Sequence, residues 1–591
     1  MLKQLKYLTK KDWLLTLISC IFIVGNVYFE LEIPEYMSKI ITIIKSNGTI
    51  NDILLNGLYM LLFAVASVVS IVIAKYFSSK VAIGLGKKLR SMVFDKVTGF
   101  SQAEIKHFST ASLITRTTND VVQVQNLISM GMTVLVKAPV MSIMALVKLV
   151  NTNISWTIAT AVSVGVILIT ILVIVFVALP RFKKIQALTD NLNRVTREGL
   201  TGTRVVRAFN AEDYQQQKFE KANKDITDNH LFTSKVMSLM DPTMTIVMNG
   251  LPLAIYIIGA ILIYNVSGTN PIMAEFEKLT IFANMSVFSS YAIQVIMSFI
   301  VLIMIFIMLP RAQVSANRIN EVLETRNSIE DGKGIEVPIK EGEVQFVNVG
   351  FKYPDAEEYM LHNINFKAEK GQMVAFIGST GSGKSTLINL VPRIYDATEG
   401  QVIVDGVNVK DYTKEQLNDK IGYVSQKAIL FSGTVKSNLE MGIANGKKPT
   451  DEDIESAIDI SQSHFVANLS EGINSRIDQG GKNVSGGQKQ RLSIARALSR
   501  KPEILIFDDS FSALDYKTDK ALRNALKEKT SDTTCLIVAQ RIGTIKDADK
   551  IIVLDKGHIV GEGTHSELME SCSVYKEIAL SQLSKEELKN A

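Results

Sequence analysis

A glycine-rich segment in the second half of the chain carries the clearest chemistry. It reads Gly378-Ser-Thr-Gly-Ser-Gly-Lys-Ser385, and it lies between the apolar run Met373–Ile377 and the helical stretch Thr386–Leu390. Glycines allow backbone N–H groups to turn inward around a phosphate, and the start of the next helix adds its dipole. In such a loop Lys384 reaches the β- and γ-phosphates and Ser385 ligates Mg²⁺. The segment therefore predicts a site for a nucleoside triphosphate with Mg²⁺. The residues predicted to hold the nucleotide are Gly378, Ser379, Thr380, Gly381, Ser382, Gly383, Lys384, Ser385 and Thr386.

Two later segments fit the same chemistry. A second apolar run, Ile504–Phe507, ends at Asp508, where a carboxylate that orients Mg²⁺ is expected. Between the two runs lies Val484-Ser-Gly-Gly-Gln488, which precedes a basic amphipathic helix at Lys489–Leu498. Alone, such a segment is an ordinary turn before a helix. In this order and spacing it indicates a second element of a nucleotide site. Short apolar runs alternate with helical stretches throughout this half, which predicts an α/β domain.

The first half of the chain has a different composition. The 591 residues are 47% hydrophobic and only 21% charged, and a mean hydropathy of +0.19 is high for a soluble protein. The length predicts at least two domains. Since Gly, Pro and Cys number 36, 12 and 3, collagen-like, disordered and disulfide-rich classes are excluded. The composition indicates a membrane protein with a large soluble part.

Six apolar stretches are long enough to cross a bilayer. They are Trp13–Ser38, Ile53–Phe77, Val134–Val150, Ile154–Pro180, Thr243–Tyr264 and Thr280–Leu309. Lys and Arg are concentrated in the two long connections, at residues 80–120 and 181–235, so these loops and both termini are expected in the cytoplasm. The net charge is +9 for residues 1–341 and −4 for residues 342–591. Because the basic excess lies among apolar segments, no nucleic-acid partner is expected.

Four charged residues, Glu30, Glu32, Lys137 and Lys148, lie within predicted spans. A charge at that depth costs roughly 2.5–3.5 kcal/mol on insertion scales, so each is expected to face protein or water. The two glutamates are candidates for an acidic contact on a substrate pathway. Alternatively, the four residues pair with a neighbouring helix or lie nearer an interface.

The combination of these motifs resembles the ATP-binding cassette (ABC) family, specifically exporter half-transporters. The resemblance implies a six-span α-helical transmembrane domain with two long cytoplasmic coupling loops at residues 1–323. A linker follows at 324–341, and an α/β P-loop ATP-binding cassette occupies 342–591. Ser112–Asp120 and Arg207–Glu212 resemble the loop ends that dock on cassettes.

The resemblance also implies roles for residues outside the phosphate loop. Tyr353 is similar to the aromatic residue that stacks on adenine, and Gln426 to a glutamine that contacts Mg²⁺ and the attacking water. The predicted Mg²⁺ ligands are therefore Ser385, Gln426 and Asp508. The segment Ser512–Asp515 resembles the loop that connects the two ATP sites. The segment that resembles the family signature, which reaches the nucleotide held by the opposite cassette, comprises Ser485, Gly486, Gly487 and Gln488.

Two positions depart from the family pattern. The residue after Asp508 is normally a glutamate that activates water, but it is Asp509 here, and the usual switch histidine is Gln540. The shorter carboxylate is withdrawn by about 1.5 Å, and correct placement of a general base contributes roughly 10²–10⁴-fold in rate. Glutamine cannot relay a proton near neutral pH as histidine does. Gln426, Asp509 and Gln540 are thus candidate catalytic residues of a site that binds ATP and hydrolyses it poorly.

These features are similar to those of the degenerate subunit of a bacterial heterodimeric multidrug exporter. The expected partners are a second half-transporter, with a homodimer less favoured, the lipid bilayer and a small-molecule substrate; the plasma membrane is the expected location. Seventeen of the 21 Met lie in residues 1–310, which suits a permissive cavity but is also typical of ordinary apolar packing. Export of a peptide or lipid, or an ATP-gated regulatory subunit that transports nothing, remain alternatives.

Overall fold

The computed structural model describes residues 2–46, 48–150, 154–266, 271–335, 341–443 and 446–582. The chain forms two compact units. The first contains Met1–Thr98 and Ala111–Thr325, and the second contains Gly99–Thr110 and Arg326–Ala591.

The described part of the first unit is helical. Its helices are α1 (Leu2–Leu5), α2 (Lys10–Lys45), α3 (Ile50–Thr98), α5 (Thr110–Thr117), α6 (Asn119–Val150), α7 (Ile154–Thr201), α8 (Thr203–Ala208), α9 (Glu212–Met237), α10 (Met240–Asn265) and α11 (Pro271–Glu324). Six helical segments are long and apolar enough to cross a membrane, and they include the six predicted stretches in whole or in part. The prediction of a six-span helical domain is confirmed. The helices extend beyond the apolar runs because polar residues continue the same helix, as in the 49 residues of α3.

Polar side chains connect helices within this apolar unit. Asn26 on α2 donates a hydrogen bond of 2.8 Å to the hydroxyl of Ser67 on α3, and Ser19 donates to the carbonyl of Ala74 at 2.8 Å. Buried polar groups need such partners, and in membrane helices these bonds hold neighbouring segments together.

The four charged residues of the predicted spans form ion pairs. Lys137 Nζ on α6 lies 2.8 Å from Glu30 Oε2 on α2. Lys148 Nζ lies 2.8 Å from Glu32 Oε1 and 2.5 Å from Glu35 Oε1. Of the alternatives left open by the sequence, pairing with a neighbouring helix is the one observed. Glu35, which the sequence did not single out, shares one lysine with Glu32.

The second unit is built on β-sheets. Its strands are β1 (Val344–Phe351), β2 (Leu361–Ala368), β3 (Met373–Gly378), β4 (Glu399–Val404), β5 (Val407–Asn408), β6 (Ile421–Val424), β7 (Gly433–Thr434), β8 (Arg476–Ile477), β9 (Ile504–Asp508), β10 (Thr534–Val538), β11 (Lys550–Asp555) and β12 (His558–Gly563). A six-stranded sheet has the order β12-β11-β3-β10-β9-β6, and a four-stranded antiparallel sheet has the order β2-β1-β4-β5. Within the larger sheet all neighbouring strands are parallel except β11 and β12. The predicted α/β fold is confirmed.

Helices surround these sheets. They are α4 (Gln102–Phe108), α12 (Lys384–Asn389), α13 (Lys414–Lys420), α14 (Val435–Leu439), α15 (Asp451–Ile460), α16 (Gly486–Leu498), α17 (Tyr516–Lys529), α18 (Ile542–Ile545), α19 (His565–Ser571) and α20 (Ser573–Gln582). The two faces of the larger sheet contribute to separate cores. Phe507 and Ile537 belong to one core, and Phe376 and Ile506 belong to the other. Because strands buried on both faces must be apolar at successive positions, they appear as continuous apolar runs in the sequence.

The predicted linker at residues 324–341 is held against the second unit over much of its described length. The N–H groups of Gly332 and Gly334 donate to the carbonyls of Tyr412 and Asp411, at 3.1 and 3.0 Å. Asp331 Oδ1 accepts from the N–H of Lys414 at 2.8 Å. Residues 336–340 of this linker lie outside the described residues.

Candidate nucleotide site

The glycine-rich loop lies between strand β3 and helix α12, as predicted, although α12 begins at Lys384 rather than at Thr386. Gly378 has φ +156°, and a Cβ atom there would lie 2.0 Å from the carbonyl oxygen of Leu554. Gly383 has φ +99°, and its Cβ would lie 2.7 Å from the side chain of Leu361. A side chain at either position would therefore force the loop out of its present path.

Lys384 is directed into the loop. Its ammonium group donates to the carbonyls of Gly378 and Ser379 at 2.8 and 2.7 Å, and its side chain is largely buried. Burial lowers the pKa of Lys384, while the nearby carboxylates Asp509 and Asp508 act in the opposite direction. An ammonium surrounded by the loop backbone fits an anionic ligand, because a bound phosphate would balance its largely buried positive charge.

Ser385 and Asp508 lie together, although they are separated by 123 positions in sequence. The hydroxyl of Ser385 donates to Asp508 Oδ1 at 2.6 Å. This proximity arises because β3 and β9 are parallel strands of one sheet, separated only by β10, so their carboxyl ends share an edge. Burial raises the pKa of Asp508 despite the hydrogen bond from Ser385. Two hard oxygen ligands at this distance fit Mg²⁺, which favours carboxylates and hydroxyls.

The three candidate catalytic residues converge on one oxygen atom. Asp509 Oδ2 accepts hydrogen bonds from the side-chain amides of Gln426, at 3.2 Å, and Gln540, at 2.8 Å. Asp509 has φ +47°, an uncommon conformation for a residue other than glycine. Its N–H donates to Val538 O at 3.0 Å and its carbonyl accepts from Ser512 at 2.8 Å. The backbone of Asp509 is thus fixed on both sides.

The C-terminal helix α20 supports the Gln540 segment, a contact that the sequence did not indicate. The amide of Gln582 donates to the carbonyl of Gln540 at 2.8 Å, and its oxygen accepts from the N–H of Ile542 at 2.9 Å. This bidentate contact orients the backbone from which the Gln540 side chain extends toward Asp509.

Tyr353 lies close to the phosphate loop, as expected of an aromatic platform for the base. Its hydroxyl is 2.9 Å from the hydroxyl of Thr386, and its ring packs edge-on against Phe351 and Tyr395 at centroid distances of 4.9 and 5.3 Å. These contacts hold the ring in one orientation, which is what a stacking surface requires.

Helix α4 packs beside this tyrosine. Lys106 Nζ lies 5.1 Å from the ring centroid of Tyr353 and 5.6 Å from that of Tyr395, within the range of cation–π attraction. The neighbouring hydroxyl of Tyr395 raises the pKa of Lys106, so the side chain is cationic at neutral pH. Sequence analysis did not single out Lys106, since an isolated lysine in a polar loop carries no distinctive signal.

Glu104 attaches α4 to the rest of the second unit. Its carboxylate accepts from the backbone N–H groups of Ser101 and Ser328, at 2.8 and 3.0 Å. Segment Gly99–Thr110 belongs to the second unit, whereas Ser112–Asp120, which resembles a docking loop end, belongs to the first. In the first long loop, the segment that packs in the second unit, Gly99–Thr110, therefore precedes the segment predicted to dock, Ser112–Asp120.

The signature segment lies at the surface of the second unit. Ser485 is the N-cap of α16, and it forms a capping box with Gln488, at 2.9 and 3.3 Å. The helix is anchored by Arg491 and Arg496, which donate to the carbonyls of Gln462 and Ile429 at 2.7 and 3.0 Å. Ser485 and Gly486 are exposed. An exposed helix start presents N–H groups that can bind an anion.

Two family descriptions match the sequence. Residues 361–512 match "ABC transporter", and residues 16–276 match "ABC transporter transmembrane region".

Several relatives match most of the chain. An uncharacterized ABC transporter ATP-binding protein of Mycobacterium tuberculosis is 37% identical over 556 residues, 94% of this chain and 93% of the relative. An uncharacterized ABC transporter ATP-binding protein of Bacillus subtilis is 33% identical over 592 residues, 99% of both chains. A putative multidrug export ATP-binding/permease protein of Staphylococcus aureus is 32% identical over 513 residues, 86% of this chain and 85% of the relative.

The fold is also known. The structure of a bacterial Atm1-family ABC exporter with ATP bound matches 96% of this chain and 98% of that chain, with a TM-score of 0.76 and 22% identity. With matches over both units and relatives above 30% identity along nearly the whole length, the chain belongs to the ABC transporter family.

Proposed function

We propose that this chain is the degenerate subunit of a heterodimeric ABC exporter that moves amphipathic, drug-like molecules out of the cell. The observation that carries the proposal is the cluster of Gln426, Asp509 and Gln540. Two neutral amides donate to one carboxylate oxygen, at 3.2 and 2.8 Å. Oδ2 of Asp509 already accepts two hydrogen bonds, so this oxygen is not free to take a proton from a water molecule.

The residues of this chain fit ATP and Mg²⁺. Lys384 and the loop amides would hold the phosphates, Ser385 and Asp508 would hold Mg²⁺ with Gln426, and Tyr353 would stack on adenine. Bound Mg²⁺ neutralises charge on the phosphates during transfer. An intact binding surface beside a poorly placed base supports slow hydrolysis with retained binding.

The exposed signature segment supports a partner. Ser485 and Gly486 would complete the competent site of a second half-transporter, whose phosphate loop holds the ATP to be hydrolysed.

The segment before α9 also exposes a surface that a partner could cover. The apolar side chains of Val205 and Phe209 are 61% and 78% exposed there. We assign segment Arg207–Glu212 to docking on the partner's cassette, where burial of Phe209 would contribute about 1.5–3 kcal/mol.

The proposed export and substrate class are supported by the relatives, and the proposed location is supported by the distribution of Lys and Arg. The relatives in Staphylococcus aureus are described as putative multidrug export proteins. The concentration of Lys and Arg in the two long loops supports a plasma-membrane protein with both termini and the cassette in the cytoplasm.

The test compares the purified chain alone with the chain co-expressed with a second half-transporter that has glutamate and histidine at the two altered positions. The chain alone is expected to bind ATP with Mg²⁺ and to turn it over very slowly. The pair is expected to co-purify, to hydrolyse ATP, and to do so faster with amphipathic substrates. Hydrolysis by the chain alone as fast as by the pair would contradict the proposal, and so would failure to co-purify.

A further inference from the structure

A cavity of about 870 Å³ lies within the first unit, between α2, α3, α6 and α11. Its volume is typical of sites for drug-sized ligands. Much of the lining is apolar, and it includes Met130, Met141, Met297 and Met308. Thioether side chains are flexible and polarisable, so they can pack around apolar groups of different shapes.

Three charged residues also line this cavity, namely Glu30, Lys75 and Lys137. Ionisable residues within membrane-spanning helices are costly, and they commonly mark the path of a substrate. Glu30 and Lys137 neutralise each other, since they form an ion pair at 2.8 Å. About a third of each side chain remains exposed, 32% and 30% respectively.

Lys75 gives the cavity an excess positive charge. It forms no ion pair with any residue that the structure describes, and it is exposed on α3. The two acidic residues near Glu30 on α2, Glu32 and Glu35, are held by Lys148 and do not line the cavity. One carboxylate and two ammonium groups leave one positive charge in excess within an apolar surrounding.

This charge distribution selects among amphipathic ligands. In a medium of low dielectric constant an unneutralised ammonium attracts an anion more strongly than it does in water, and it repels a cation. A hydrogen bond to a charged group contributes more than one between neutral groups. A ligand with an apolar body and one anionic group would match both the methionines and Lys75.

We propose that this cavity is a binding site for amphipathic monoanions, with the anionic group at Lys75 and Lys137 and the apolar part against the methionines. The assignment names the substrate class of the export function proposed above and rests on that function. The shared chemistry is a single carboxylate, sulfate or phosphate on an apolar body, which either a soluble amphiphile or a bilayer lipid can supply.

The test measures binding directly, without ATP. The full chain is placed in nanodiscs of phosphatidylcholine, and binding of radiolabelled laurate, dodecanol and dodecylamine is compared after subtraction of binding to empty nanodiscs. The three probes share one alkyl chain and differ in the charge of the head group. Laurate is expected to bind about tenfold more tightly than dodecanol, and dodecylamine is expected to bind most weakly. Equal binding of the three probes, or tightest binding of dodecylamine, would overturn the proposal.

Variants then locate the charge. Lys75→Met is expected to abolish the preference for laurate over dodecanol, whereas Lys87→Met, an exposed lysine on the same helix outside the cavity, is expected to retain it. Glu30→Gln releases Lys137 from its partner, so it is expected to increase the preference for laurate. Since these two variants move binding in opposite directions, misfolding cannot produce both results. Unchanged preference in Lys75→Met and Glu30→Gln would overturn the assignment.

Two further arms separate the remaining possibilities. If phosphatidylglycerol in the nanodisc displaces laurate, the site accepts an anionic lipid. If phosphatidylglycerol does not displace laurate, the site accepts soluble amphiphiles. Both results agree with the proposal. Stimulation of ATPase activity by laurate is measured in the assembled pair. Selective binding without stimulation would contradict the export function and leave the site assigned, whereas stimulation without selective binding would contradict the site alone.

Discussion

The side-chain amide of Gln540 donates a hydrogen bond of 2.8 Å to Oδ2 of Asp509. The two residues lie 31 positions apart, and the resemblance described above implies that both depart from the family pattern. Their contact shows that the two departures belong to one local arrangement. In this arrangement the carboxylate of Asp509 is held by an uncharged donor.

The two departures are therefore expected to be non-additive. Asp509→Glu alone should raise the rate of ATP hydrolysis only slightly, because Gln540 still cannot transfer a proton near neutral pH. Asp509→Glu with Gln540→His should raise the rate by more than the product of the single effects, since residues that act as one unit do not contribute independently. The double-mutant cycle is completed by measuring the steady-state ATPase activity of the unmodified chain, the two single variants and the double variant. Independent effects of the two substitutions would show that they do not form one catalytic unit.

The signature segment is expected to matter more for hydrolysis than the phosphate loop of the same chain. In the assembled pair, Ser485→Arg should nearly abolish ATPase activity, because the bulky side chain would block the γ-phosphate in the partner's competent site and remove stabilisation of the transferring charge. Under the proposed function Lys384→Ala should leave a substantial fraction of the activity, because it would affect only the site predicted to be weak.

Ser485→Arg also removes a helix N-cap, which costs about 1 kcal/mol. Thr564→Arg is a matched control, because Thr564 is an exposed capping-box residue of α19 in the same unit. The control should keep near-normal activity. If Lys384→Ala is as inactive as Ser485→Arg, with both variants folded by gel filtration, the two sites are not divided in this way.

Substitutions of Tyr353 should separate the contribution of its ring to nucleotide binding from that of its hydroxyl. Tyr353→Ala should weaken nucleotide binding by roughly 1–3 kcal/mol, the usual value of a base–aromatic stack. Tyr353→Phe should weaken binding less, because it removes only the contact with Thr386 at 2.9 Å. Tyr359→Ala, which removes a nearby tyrosine bonded to Glu399, serves as the control. Displacement of a fluorescent ATP analogue measures nucleotide binding by all three variants. A loss of affinity in Tyr353→Phe equal to that in Tyr353→Ala would refute the stacking role.

The ion pairs of Lys148 are expected to be structural. Lys148→Met leaves Glu32 and Glu35 without their shared partner, so the free energy of unfolding should fall by roughly 1–3 kcal/mol. The further changes Glu32→Gln and Glu35→Gln should restore part of the loss, because they remove the unpaired charges. Thermal unfolding in detergent measures the effect, with Lys87→Met as a control. Failure of the glutamine substitutions to restore stability would count against the ion-pair explanation.

Acid should destabilise the C-terminal part of the second unit. His565 is buried, its Nδ1 lies 2.7 Å from the hydroxyl of Tyr575 on α20, and burial lowers the pKa of its imidazole below 6.5. Nearby Lys546 lowers the pKa further, and Asp547 opposes this. The unfolded chain therefore binds more protons than the folded chain, so stability is lost as the pH falls through the ordinary value.

The measurement compares melting temperatures between about pH 7.5 and pH 5.5, the range in which an unperturbed histidine titrates. His565→Gln keeps a polar side chain at this position but cannot be protonated, so its melting temperature should fall less on acidification. An equal fall in the variant and the unmodified chain would show that other groups determine the acid sensitivity.

Much of the nucleotide site could be predicted from the sequence because its chemistry is local. The phosphate loop depends on glycines, a lysine and a serine at fixed spacing, so Lys384 and Ser385 are identified from a few adjacent residues. The apolar runs of the first half identify six spans for a similar reason, since a bilayer requires long uninterrupted apolar segments. From the sequence alone Asp509 and Gln540 are identified as departures from the pattern that the resemblance implies, but their contact cannot be predicted.

The contacts between distant segments required the tertiary structure. Asp508 reaches Ser385 because parallel strands end at one edge of a sheet. Gln582 reaches Gln540 because α20 packs beside the segment Gln540–Ile542, and Lys106 reaches Tyr353 because α4 packs in the second unit. The net charge of the membrane cavity also depends on which carboxylates of α2 are paired by lysines on α6. Spacing along the chain determines groups that act within one turn or loop, whereas pairing across the fold depends on which backbone elements pack together.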